Sequence, residues 1–124
     1  WATHMIGHEL TALYGIDHAR TLAIVLPQVM QARREAKREK LLQYAARVWQ
    51  ITEGSDDERI DAAIARTAQF FESVGIPTRL SAYQLGGEAV DAVVKALTEH
   101  GMVKLGEQRA ITPEISRVIL EAAL

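Results

Sequence analysis

Apolar positions recur every three to four residues along almost the whole chain, the period of an α-helix with one buried face. Met5, Ile6, Leu10, Leu13 and Tyr14 fall close to one stripe and predict a helix over residues 5–14. Gly15 is a natural stop beyond it, because glycine enters the left-handed region without a Cβ penalty. Asp17 then stands where the cap of a second helix belongs. That helix starts near His18, carries Leu22, Ala23, Val25 and Leu26, and is expected to end or kink at Pro27. A third runs through Leu41, Leu42, Tyr44, Ala45, Val48 and Trp49, with Gly54 closing it. Ser55 to Glu58, SDDE, is a capping box. It opens a helix at Asp56 that carries Ile60, Ile64, Thr67, Ala68 and Phe71 and stops at Gly75, with Pro77 two residues on. RLSAYQLGG, residues 79–87, reads as a turn with at most a short helix. Val90, Val93, Val94 and Leu97 face inward from a helix over Glu88 to His100, and Thr112-Pro113 reads as the cap and first residue of a last helix. Only Gly101 to Ile111 hints at extended structure. The pattern is all-α, five or six helices in one unit, with no internal repeat, low-complexity segment or interdomain linker.

Composition narrows the function classes. A net charge of −2 gives no general attraction to nucleic acid or anionic membranes. The chain has no cysteine, which excludes disulfides and thiolate chemistry and is compatible with a reducing compartment. The longest apolar run, Leu22 to Pro27, is far too short to span a bilayer. Trp1 leads straight into a helical pattern without an initiator methionine or a cap, so the native start is expected to lie further upstream.

Three of the four histidines fall within the first eighteen residues: His4, His8 and His18. His4 and His8 are four apart and share a helix face. His18 lies across the Gly15 turn, where a second helix can fold it back toward His4. Imidazole suits zinc or ferrous iron, and catalytic sites commonly combine three protein ligands with an open position. Capping, surface or core roles for the three rings are the competing reading, and spacing alone leaves both open. His8-Glu9 begins the zinc-protease pattern, but no second histidine follows at the required place, so that reading fails.

The stretch Trp1-x-Thr3-His4-x-x-Gly7-His8-x-Leu10-Thr11-Ala12-x-x-x-Ile16-x-His18-Ala19-x-Thr21 resembles the second signature of the iron-containing (group III) alcohol dehydrogenase family. LLQYAARVWQITEGSDDERIDAAIA, residues 41–65, and HGMVKLGE, residues 100–107, resemble its branch of bacterial NADPH-dependent aldehyde reductases and butanol dehydrogenases. The resemblance covers essentially the whole chain and implies the C-terminal part of an all-helical metal-binding domain of the dehydroquinate synthase-like fold. It implies that His4 and His18 ligate a divalent metal, iron or zinc. It places His8 beside the metal, near nicotinamide and substrate, as the catalytic residue. It further implies NADP as cofactor in the parent protein, a small-molecule aldehyde or alcohol substrate and a cytoplasmic location. A helical domain cut from its neighbours bares apolar stripes, so the chain is expected to self-associate as a homo-oligomer, at least a dimer, through surfaces such as the Met5–Leu13 stripe.

The departures from the family pattern are as informative. Family members are longer. Their N-terminal dinucleotide-binding half, with its Gly-rich loop, has no counterpart here, nor does the helix that supplies an Asp and a further His to the metal. The metal site in this chain is therefore expected to be incomplete, and the chain alone inactive. Many relatives place Gly where this chain has Ala19, a tolerated variation.

Two basic stretches invite a non-enzymatic alternative. RREAKREK, residues 33–40, is interrupted by Glu35 and Glu39 and has no interleaved aromatic residue, so it reads as a solvated helix face or a helix junction. VVKALTEHGMVKLGEQRAITPE superficially resembles the end of a winged-helix DNA-binding domain, with Arg109 on phosphate or in the minor groove. The negative net charge and the lack of a basic recognition helix favour a plain helix-to-helix loop. The alternatives to an enzyme fragment are thus a helical interaction module or a winged-helix-like module. No nucleic acid or membrane partner is expected.

Overall fold

The structure, a computed structural model, describes residues 2–106 and 109–124. Trp1 of the signature and Glu107 of HGMVKLGE lie outside the described residues. The elements are α1 (Ala2–Tyr14), α2 (His18–Ala32), α3 (Arg38–Val48), α4 (Asp56–Ser73), a 3-10 turn (Leu80–Tyr83), α5 (Gly87–Glu99) and α6 (Pro113–Ala122). The class is all-α, as the periodicity predicts.

The caps explain several of these boundaries. Ser55 Oγ accepts from Glu58 N–H at 3.2 Å, and Thr112 Oγ1 accepts from Ile115 N–H at 3.4 Å, so α4 and α6 start where the cap motifs place them. Gly15 and Gly75 follow α1 and α4 at φ +68° and +84°. Two boundaries differ from expectation. α2 runs on through Pro27 to Ala32. The ring removes one backbone donor, but α2 is packed by α1, α4 and α6, and burial of Ile24, Val25 and Pro27 outweighs that loss. α3 stops at Val48, six positions before Gly54, because Gln50 already turns left-handed at φ 58°.

α2 is the central helix. α1 lies on it and on α5, α5 lies on α6, and α3 and α4 form a hairpin joined through α4 to α2. The main core joins Ile6 and Leu10 of α1, Ile24 and Val25 of α2, Leu80, Val90, Val93 and Leu97, and Ile119 and Leu120 of α6, all essentially without solvent contact. Each such side chain contributes about 1.5–3 kcal/mol of burial. The Met5–Leu13 stripe, expected to be available for self-association, is therefore mostly spent inside. Met5 packs on the core, Ile6 and Leu10 are fully buried, and only Leu13 and neighbouring Tyr14 remain exposed.

The two basic stretches resolve differently. Residues 33–37 make the joint between α2 and α3. Arg34 reaches Asp61 at 2.6 Å and Arg38 reaches Asp57 at 3.1 Å, so both guanidinium groups face the acidic first turns of α4. That is a helix junction. Between α5 and α6 the described residues form one antiparallel bridge, Leu105 with Ile111, closed by backbone bonds of 2.8 and 3.1 Å. A winged-helix wing needs paired strands, and a single bridge does not supply them.

Candidate metal-binding site

The three N-terminal imidazoles converge because two local devices fold α2 back beside α1. At the turn, Gly15 N–H donates to Thr11 C=O at 2.9 Å, and Thr11 Oγ1 donates to Ile16 C=O at 2.8 Å. Asp17 occupies the cap position of α2 as expected, but its carboxylate accepts no helix N–H. Its backbone C=O accepts from Thr21 N–H at 3.0 Å, while the side chain turns to Arg20 at 3.7 Å. Along the helices, Gly7 meets Thr21. A Cβ on Gly7 would lie 2.7 Å from Thr21 Oγ1, so the two backbones approach as closely as they do only because residue 7 has no side chain. Thr21 is fully buried, and its Oγ1 donates to His18 C=O at 2.7 Å.

His4 and His18 have ring centroids 5.4 Å apart, His8 and His18 5.6 Å, and His4 and His8 6.5 Å. These separations test whether the rings suit a metal. Two imidazoles bound to one tetrahedral ion, with metal–nitrogen bonds of about 2.1 Å, place their centroids roughly 5.3 Å apart. The His4–His18 pair is nearest to that value. The His4–His8 separation would require an ion almost on the line between the two rings, so these two do not share a tetrahedral ion as placed. His18 is the member common to both shorter pairs. Among the described residues no group of three or more His, Asp or Glu side chains stands ready to hold a metal ion. The spacing of His4 and His18 is compatible with two members of a larger donor set.

His4 is half-buried, whereas His8 and His18 are exposed. His8 and His18 border a shallow depression of about 460 Å³ with Thr11 and Ala12. A group held near His18 would thus be reachable from the His8 side.

Sequence reasoning missed a second polar link to α1. Glu9, next to His8, is buried, and its Oε1 lies 2.6 Å from Nδ1 of the exposed His100 at the end of α5. The His100 pKa is raised, first by that hydrogen bond and then by the charge of Glu9; partial desolvation opposes the shift and Glu99 adds to it. Ninety-one positions separate the partners, so no local pattern announces the pair. The Gly7–Thr21 contact did leave a signal: two small residues, each three positions beyond one of the predicted ligands.

The family described as "Fe-containing alcohol dehydrogenase family, C-terminal" matches residues 1–124. The NADPH-dependent aldehyde reductase YqhD of Escherichia coli is 64% identical over 99% of this chain, and the matched part is 32% of its own length. A probable NADH-dependent butanol dehydrogenase of Bacillus subtilis is 33% identical over the full chain, again across 32% of its length. The substrate- and cofactor-free structure of the E. coli reductase superposes on 100% of this chain with a TM-score of 0.98, using 33% of its own chain. The NADH-dependent butanol dehydrogenase A of Thermotoga maritima superposes on 99% of it at 30% identity with a TM-score of 0.86, using 32% of its chain. The chain therefore spans about a third of the length of the relatives it matches.

Proposed function

The chain belongs to the Fe-containing alcohol dehydrogenase family, and from that premise we propose that it is the C-terminal part of the helical metal-binding domain of an NADP-linked aldehyde reductase. The observation that carries the proposal is the convergence of His4 and His18 at 5.4 Å with His8 beside them. The 64% identity to a reductase named for NADPH, against 33% to a dehydrogenase named for NADH, favours NADPH as the hydride donor.

His4 and His18 would supply two neutral nitrogens to a divalent iron or zinc ion, completed by ligands from the part of the protein that precedes this chain. When bound, that ion supplies a positive charge that polarises an aldehyde carbonyl. Both imidazoles must be deprotonated to ligate, so affinity falls in acid. His8 stands on the open side, one helical turn beyond His4. There it would orient the aldehyde and deliver a proton at the product oxygen; the nicotinamide, when bound, would supply the hydride. Thr11 holds the turn that carries His18, and Gly7 lets α1 and α2 close on each other. The reductase works as a homodimer in the cytoplasm, where NADPH is kept reduced. On this reading the 124 residues alone supply two of the metal ligands and turn nothing over.

The test uses the full-length protein with NADPH and a short aldehyde. Activity should disappear on chelation and return with zinc or ferrous iron, and His8→Ala should keep its metal while losing turnover. Activity that survives complete metal removal would refute the proposal.

A further inference from the structure

We propose that Gly7 and Thr21 are positioning residues for the metal: their contact sets the distance between His4 and His18. This inference rests on the ligand assignment above and adds what holds those ligands at their separation.

Gly7 lies one turn beyond His4 on α1, and Thr21 lies one turn beyond His18 on α2. A Cβ at residue 7 would sit 2.7 Å from Thr21 Oγ1 and 3.2 Å from Thr21 Cβ, where ordinary contacts begin at 3.4 Å. Gly7 is not in the left-handed region, so alanine is compatible with its backbone, and the conflict is wholly with Thr21. Thr21 has no easy escape. It is fully buried, and turning Oγ1 away breaks its 2.7 Å bond to the His18 carbonyl. A β-branched residue also brings another group to the vacated place, and the 3.2 Å approach to Cβ persists in every rotamer.

The helices must therefore separate by several tenths of an ångström, and the bond from Thr21 to His18 carries the displacement to the ligand. Metal–ligand distances hold to about ±0.2 Å, so a shift of that size is felt at the ion. The His4–His18 centroid distance of 5.4 Å is close to that of a tetrahedral pair, so widening it moves the rings away from that geometry.

The experiment is chelator competition for zinc on the full-length protein, with the cobalt(II) spectrum of the substituted protein as a readout of ligand geometry. Gly7→Ala should weaken metal binding by about 10–100-fold, the range seen when groups that support metal ligands are altered, and should change the cobalt bands. Adding Thr21→Ala to Gly7→Ala removes the hydroxyl that stands 2.7 Å from the new Cβ and leaves only the 3.2 Å approach of the residue 21 Cβ, so it should recover part of the affinity and move the cobalt bands back toward the parental spectrum. If Gly7→Ala alone does not accumulate folded, Thr21→Val replaces it. Thr21→Val sets a larger methyl against Gly7 in place of the hydroxyl, so it should weaken metal in the same direction. Unchanged affinity and spectrum in Gly7→Ala or Thr21→Val, or a double variant no better than Gly7→Ala, would overturn the inference. His18→Ala serves as the control. Metal lost there but kept in Gly7→Ala refutes only the positioning role, whereas metal kept in His18→Ala refutes the ligand assignment beneath it.

Discussion

Gly15→Ala separates backbone strain from helix contact, because the two glycines of the α1–α2 unit are constrained for different reasons. Gly15 has φ +68°, and a Cβ there would meet nothing within 4 Å. The cost of alanine is thus purely conformational, about 1–2 kcal/mol for an L-residue forced left-handed. Part of this is offset by the smaller entropy of the unfolded chain, about 0.4–1 kcal/mol. The net loss should be about 1 kcal/mol, which corresponds to roughly 2–4 °C in Tm for a unit of 150–250 residues. Gly15→Asn should lose less, since asparagine tolerates this region. Thermal unfolding of the full-length variants measures the loss, and zinc competition measures the site. Gly15→Ala should lower Tm with metal affinity close to the parent, because the hydrogen bonds of Thr11 and Gly15 that hold the turn need no change of partner. An unchanged Tm would refute the strained turn. A loss of metal affinity as large as that of Gly7→Ala would show that the turn, and not the Gly7–Thr21 contact, sets the spacing of His4 and His18.

Two further outcomes follow from the packing and the charges. Ile24→Ala, which empties a fully buried position on the central helix, should cost about 2–5 kcal/mol in denaturant unfolding, and a loss below about 1 kcal/mol would contradict the core assignment. Because the His100 pKa is raised above 6.5 by Glu9, its contribution is fully present below that value and is lost as pH rises through the raised one. The stability gap between the parent and His100→Gln should therefore be widest in mildly acidic solution and shrink above pH 6.5; a gap that grows with pH would contradict the pairing.

The helices were legible because each has a buried stripe and several have a cap written into the chain: Ser55 for α4, Thr112 for α6, Gly15 after α1. Pro27 misled because its penalty is local, while the burial that overrides it comes from α1, α4 and α6, which no window around residue 27 contains. Gln50 misled for the converse reason: glutamine does not advertise a left-handed residue, and the better candidate, Gly54, lies four positions on. The sequence leaves the basic stretch as a solvated helix face or a helix junction, and α4 decides for the junction by bringing Asp57 and Asp61 against Arg34. The candidate site divides the same way. Spacing put His4 and His8 on one face, and the resemblance named His18 as their partner, but Glu9–His100 depends on tertiary placement alone.

The central claim is that His4 and His18 ligate the metal and His8 does not. The most direct measurement is the metal content of the full-length His4→Ala, His8→Ala and His18→Ala proteins, purified in parallel and checked for folding by circular dichroism. The account predicts that His4→Ala and His18→Ala lose stoichiometric metal and activity together, and that His8→Ala keeps most of its metal with lowered turnover. Full metal in a folded His18→Ala protein, or loss of metal in His8→Ala equal to that in His4→Ala, would contradict it.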